Sequence, residues 1–93
     1  MVELAVIMPV YNEEGAINTV VKKWIELFRA EQIQFEFHIY NDGSKDQSGA
    51  MLDELAATYP ELHIHHKSNS GHGPTILQGY QENHKAPWVF QID

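Results

Sequence analysis

Short apolar runs and helical stripes alternate along the whole chain. Leu4-Ala5-Val6-Ile7-Met8 is a continuous apolar run stopped by Pro9, the pattern of a strand covered on both faces. Beyond it, Asn12 is placed to cap a helix with Glu13 and Glu14 in its first turn, and Ile17, Val20, Val21, Trp24, Leu27 and Phe28 recur at helical spacing. Phe35, Phe37 and Ile39 then alternate with Glu36, His38 and Tyr40, as in a half-covered strand. Ser44 and Gln47 have the spacing of a capping box, opening a second helix through Met51, Leu52, Leu55 and Tyr59 that Pro60 closes. Leu62 and Ile64 against His63 and His65 predict a third, more polar strand. Pro74 suits a first helical position, ahead of Ile76, Leu77 and Tyr80, and residues 88–93 form a fourth strand.

The order is βαβαβαβ, which predicts an α/β, Rossmann-like fold with a parallel, right-handed, doubly wound sheet. Strands one and four read as nearly all apolar, strand two alternates, and strand three is polar. Buried strands read as continuous and edge strands as mixed, so the ranking predicts the order 3-2-1-4. Ligands in such sheets bind beyond the carboxyl ends of the strands, where the chain reverses direction.

Composition narrows the partners. The 93 residues suffice for one small domain, able to bury somewhat over roughly 60% of its unfolded surface. Lys and Arg number 6 against 13 Asp and Glu, a net charge of −7 that argues against nucleic acid or an anionic membrane surface as partner. A phosphate ligand would need backbone amides or a divalent cation to offset these acids. The absence of cysteine rules out disulfides and thiolate metal sites and fits a reducing compartment. No apolar run approaches the roughly 18 residues of a membrane span, and the start lacks a basic leader.

The predicted carboxyl edge gathers chemistry. Pro9-Val10-Tyr11-Asn12-Glu13, Asn41-Asp42-Gly43-Ser44, Asn69-Ser70-Gly71-His72-Gly73 and Asp93 converge there. Tyr11 can lie against a planar base, the aspartates can accept from a ribose or base N–H or hold a cation, and Gly71 and Gly73 let the backbone approach a ligand. Taken singly, Asp42-Gly43-Ser44 is a turn with a cap and Gly71-His72-Gly73-Pro74 a loop before a helix. The glycine fingerprint of dinucleotide-binding folds is missing after strand one, where the chain reads VYNEEG. His63, His65 and His66 read as edge-strand histidines rather than as a metal site, and Trp24, Trp88 and the phenylalanines as core.

The segments VIMPVYNEE, YNDGSKDQSG, SNSGHGPTILQGY and WVFQID together resemble the amino-terminal half of family 2 glycosyltransferases, inverting enzymes of the GT-A fold. The third segment looks most like the branch with dolichyl- and polyprenyl-phosphate sugar synthases. The resemblance implies that Pro9, Tyr11 and Glu13 frame a UDP- or GDP-sugar, that Asp42 contacts the base, and that Gly71 and His72 close over base and ribose. Asp93 would open the DxD motif and bind ribose or a Mn²⁺ or Mg²⁺ ion bridging the diphosphate. Asn41 stands where the family usually has a first acid, and the sequence stops before a second acid of the DxD motif. Residues 1–93 are therefore expected to be the nucleotide-sugar-binding portion of a truncated GT-A domain, inactive alone. The complete protein would be cytoplasmic or lie at the cytoplasmic membrane face, acting on a polyprenyl phosphate or polysaccharide in cell-envelope synthesis. Strand four, left at an edge, would favour self-association through residues 88–92. Two other classes compete: a receiver-type domain with an acidic magnesium pocket, and a dinucleotide-binding module.

Overall fold

Residues 2–93 are described by a computed structural model; Met1, the first residue of the expected unit, lies outside them. The chain runs β1 (Leu4–Val10), α1 (Ile17–Ala30), β2 (Phe35–Asp42), α2 (Ser48–Thr58), β3 (Leu62–Lys67), α3 (His72–Glu82) and β4 (Trp88–Gln91). All pairings are parallel and the sheet order is β3-β2-β1-β4, as the hydrophobic ranking predicts.

Alternate residues of the sheet serve two different layers. Val6, Met8 and Val10 of β1, with Phe35, Phe37 and Ile39 of β2, pack against Ile17, Val21, Ile25 and Phe28 of α1 and Leu52 and Leu55 of α2. On the opposite face lie Ile7 and Tyr40, under α3. Gly79 of α3 is pressed so close that an added Cβ would sit 2.5 Å from Ile7 Cγ2. This second layer explains why β2 departs from its half-covered pattern. Tyr40 is buried because the end of α3 covers the face that the alternation assigns to solvent, and His38 because His63 and His65 of β3 stack on it. The side chains of α3 divide accordingly. Thr75 and Gly79 are its buried residues, while Leu77 and Tyr80, two of the apolar residues that mark the helix in the sequence, are exposed.

Both expected helix caps are absent. Asn12 takes a left-handed conformation, φ 52°, and α1 begins only at Ile17 with no acid in its first turn. Ser44 does not cap α2, which begins at Ser48 with no side-chain cap. The reason is competition from a neighbouring loop. Asn12 N–H donates to Ser44 Oγ (3.0 Å), Glu13 N–H to Ser48 Oγ (2.8 Å) and Glu14 N–H to Asp46 Oδ2 (3.2 Å). In return, Lys45 N–H donates to Asn12 Oδ1 (2.8 Å) and Gln47 N–H to Glu14 Oε2 (3.2 Å). Side chains suited to capping their own helices instead satisfy the backbone of the loop alongside. Likewise Pro74 is the third residue of α3 rather than its first.

The β4 ladder stops at Gln91, two residues short of the expected strand end, and Ile92 N–H still reaches Ile7 O at 2.8 Å. Among the described residues β4 pairs only with β1, so its outer edge is open. Trp88 is 73% exposed and Phe90 41%, against the core role assigned to them; both stand at the open edge, where no further layer covers them.

The polar β3 brings its histidines against β2. His38 Nε2 is 3.1 Å from Glu36 Oε1 and its Nδ1 is 2.9 Å from His65 Nε2. Since Glu36 can only accept, His38 carries its proton on Nε2 and accepts from His65. His63 and His65 stack on His38, and Tyr40 stacks on His65 while donating to Glu82. Burial lowers the His38 and His65 pKa values, and the neighbouring Glu36 and Glu82 only partly oppose it. Folding therefore favours the neutral rings. Stability is fully present above the ordinary histidine value of about 6.5 and falls as pH drops below it toward the depressed folded values. Urea melts at pH 7.5 and 5.5 are expected to show this loss, and His38→Gln to reduce it. Equal midpoints at both pH values in the unaltered protein would contradict the assignment.

Candidate functional site

The carboxyl ends of β1, β2 and β4 and the start of α3 enclose a crevice of about 290 Å³. Its walls are Pro9, Val10, Tyr11, Glu13, Asp42, Asn69, Gly71, His72 and Asp93. All seven residues singled out from the sequence thus border one space. A smaller cavity, about 150 Å³, lies beside it between β1 and α1 and shares Pro9, Val10, Glu13 and Asp93.

Asp42 is the last residue of β2 and lies opposite Lys67 in the β2–β3 register. Its Oδ1 accepts from Lys67 Nζ at 2.7 Å and from Ser70 N–H at 2.8 Å, while Oδ2 accepts from Gly71 N–H at 3.0 Å. Burial would raise its pKa, but the Lys67 ammonium and the Ser70 and Gly71 amides outweigh burial and hold the carboxyl at about 2. Asp42 is therefore an ionised acceptor at every physiological pH. Asn69 donates to the Asp42 backbone carbonyl at 2.9 Å. Lys67 Nζ also donates to Ser68 O (2.9 Å) and Ser70 Oγ and lies 3.3 Å from Thr75 Oγ1, which donates to Gly71 O at 2.7 Å. One buried acid thus anchors the whole glycine loop. Gly43 permits this closeness, having φ 71° and room for no Cβ, which would lie 2.7 Å from Asn69 N.

The rim is more open. Tyr11 is half exposed, with its ring free to receive a planar group. Asp93 accepts from Gln91 Nε2 at 2.7 Å and faces His72 Nε2 at 3.4 Å, both side chains being mostly solvated. No cluster of three His, Cys, Asp or Glu side chains able to hold a metal occurs among the described residues. Asp93 brings one carboxylate to the crevice, and a Mg²⁺ ion held by one carboxylate takes most of its shell from phosphate oxygens and water.

Asn69 and Ser70 were placed at the carboxyl edge from the sequence without a role of their own, and Lys67 and Thr75 were not placed there at all. One signal was available for Lys67. It stands at the polar end of β3, level with the acidic end of β2, so the strand order alone brings the two charges together.

The model of glycosyl transferase family 2 matches residues 5–93. The chain belongs to this family. An undecaprenyl-phosphate 4-deoxy-4-formamido-L-arabinose transferase of Pectobacterium carotovorum is 33% identical over 82 residues, 85% of this chain and 25% of that protein. A prophage bactoprenol glucosyl transferase homolog of Escherichia coli is 30% identical over 78 residues, covering 83% of this chain and 26% of the relative. Among solved structures, a mannosyltransferase from Pyrobaculum calidifontis in complex with GDP-Man and Mn²⁺ superposes with a TM-score of 0.73 at 20% identity. The match covers 86% of this family 2 chain and 24% of the mannosyltransferase. The chain thus spans about a quarter of the length of the relatives it matches. The expected GT-A-type topology is the one observed. No helix among the described residues is long and apolar enough to cross a membrane.

Proposed function

We propose that this chain is the donor-binding portion of an inverting glycosyltransferase, taking a UDP- or GDP-sugar in the crevice at the carboxyl edge of the sheet. The observation that carries this reading is the convergence of Tyr11, Asp42, Gly71, His72 and Asp93 on one space in a family 2 chain. Tyr11 stacks on the base, Asp42 accepts from it, and Gly71 with His72 covers base and ribose. Pro9 and Glu13 shape the wall beneath. Asp93, with His72 beside it, would hold Mn²⁺ or Mg²⁺, which when bound neutralises the diphosphate. The chain's own contribution is positioning, which lowers the barrier by holding the donor in one geometry. With these side chains assigned to the donor, the 93 residues bind it without turning it over.

A polyprenyl phosphate as acceptor is supported by the undecaprenyl-phosphate and bactoprenol relatives, and with it work at the cytoplasmic face of a membrane in cell-envelope synthesis. Calorimetric titration with UDP and GDP, with and without Mn²⁺, tests the donor assignment. Metal-dependent binding of at least one is expected, and Asp93→Ala should remove the metal dependence. Binding of neither would refute it, while binding of NAD or of magnesium beryllofluoride instead would favour the competing classes.

The open edge of β4 also fits a second copy of the chain. Trp88 and Phe90 lie with Trp24 and Phe28 around one apolar hollow beside the open outer edge of β4. Light scattering is expected to give a mass that rises with concentration, and Trp88→Lys to return it to a monomer. A constant monomer mass in the unaltered chain would exclude this pairing.

A further inference from the structure

The nucleotide reading leaves the base undefined, and the acceptor sites around Asp42 bear on it. An ionised carboxylate offers about four lone-pair sites, two on each oxygen. Both sites of Oδ1 are taken, by Lys67 Nζ at 2.7 Å and Ser70 N–H at 2.8 Å. One site of Oδ2 is taken by Gly71 N–H at 3.0 Å. Asn69 Nδ2 stands 3.5 Å from Oδ2 and gives its shorter bond, 2.9 Å, to the Asp42 carbonyl. A single acceptor site is left, on the oxygen of a side chain that borders the crevice with Tyr11 and Gly71.

Bases differ in what they present to such a site. The hydrogen-bonding edge of guanine carries two adjacent donors, N1–H and the N2 amino group, which pair with both oxygens of a carboxylate. Uracil carries one donor, N3–H, between two carbonyls. Cytosine turns an unprotonated ring nitrogen toward the acid beside its amino group. For guanine to make its second bond, Lys67 or the Ser70 amide would have to leave Oδ1. The Lys67 side chain is 14% exposed and that of Asp42 6%, so Lys67 would leave Oδ1 only by separating a charge pair largely shielded from water.

Resting on the donor assignment above, we propose that Lys67 is a specificity-determining residue. By filling Oδ1 it leaves Asp42 one open acceptor, and so selects a uracil nucleotide over a guanine nucleotide. Lys67 does not touch the base; it acts through the acid. Two further bonds, to Ser68 O and Ser70 Oγ, use its remaining protons and hold the ammonium in place.

The experiment is calorimetric titration of the protein in Mn²⁺ with UDP, GDP and IDP. IDP is GDP without the N2 amino group, so it isolates the second donor with the purine ring unchanged. UDP is expected to bind at least about tenfold more tightly than GDP, the equivalent of one hydrogen bond to a charged group. IDP is expected to recover part of that loss. Lys67→Met should bring the UDP and GDP affinities together, whereas Lys67→Arg, which keeps a cation on Oδ1, should preserve the gap. GDP bound as tightly as UDP would overturn the selection while leaving the donor site intact. IDP bound as weakly as GDP would overturn the role of Lys67, since ring size would then discriminate. The IDP comparison decides this in the unaltered protein even where Lys67→Met does not fold. Failure of all three nucleotides to bind would remove the donor site and this inference with it.

Discussion

Replacing Asp42 by alanine is expected to cost about 3–5 kcal/mol of folding stability and to abolish nucleotide binding at the same time. The substitution strands Lys67, an ammonium buried at the end of β3, and leaves the Ser70 and Gly71 amides without their acceptor. An unpaired buried cation is the costly part, because its attraction to the acid is what offset its removal from water. The loop from Ser68 to Gly71 would then lose its anchor. Tyr11 and Asp93, just beyond the ends of β1 and β4, would keep their places with nothing to close against them. Urea denaturation measures the stability change. The double variant Asp42→Ala with Lys67→Met should be more stable than the single Asp42→Ala, since it removes the orphaned charge. A loss below about 1 kcal/mol for Asp42→Ala would mean that the pair behaves as a solvated surface bridge.

Gly79→Val is expected to destabilise the chain by about 1–3 kcal/mol, the usual cost of overpacking. A Cβ at this position would meet Ile7 Cγ2 at 2.5 Å, and Ile7 is fully buried in the centre of the sheet with no room to retreat. Valine's greater helix propensity than glycine is worth a few tenths of a kcal/mol and does not offset the clash. The effect should also reach the crevice, because α3 begins at His72 and its first turn carries the glycine loop. Thermal melts report the stability loss, and UDP or GDP titration of the surviving folded fraction reports whether α3 has lifted. Undiminished stability would mean that helix and sheet separate here at little cost.

Much of this fold was legible before any coordinates. The unbroken apolar run of β1 and the polar character of β3 place them at the centre and edge of the sheet, because hydrophobic continuity reflects cover on both faces. The crevice residues followed from that order, since strand ends in a parallel sheet all open on one side. What could not be read was which layer a helix would cover and how loops would share their hydrogen bonds. His38 and Tyr40 alternate with apolar residues like a solvent face, yet the histidines of β3 stack on the first and the end of α3 covers the second, with Gly79 letting α3 come down onto Ile7 alongside. Trp88 looks like core by composition but sits at an open edge. Asn12, Ser44 and Ser48 have the chemistry of caps, but each can serve any nearby N–H. The nearest unsatisfied donors or acceptors lie in a loop more than 30 residues away along the chain. Local sequence rules describe the supply of such groups and not the demand for them.

The five bonds between the loops that follow β1 and β2 have a consequence for the ligand. Irregular segments at a binding site commonly lose conformational entropy when the ligand arrives, and the loss weakens affinity. Here the ordering of both segments is met when the chain folds, as each immobilises the other through main-chain donors. A nucleotide entering between Tyr11 and Asp42 would meet a cleft whose two lips are already joined at the base, so its binding energy would go into contact rather than into assembling the walls.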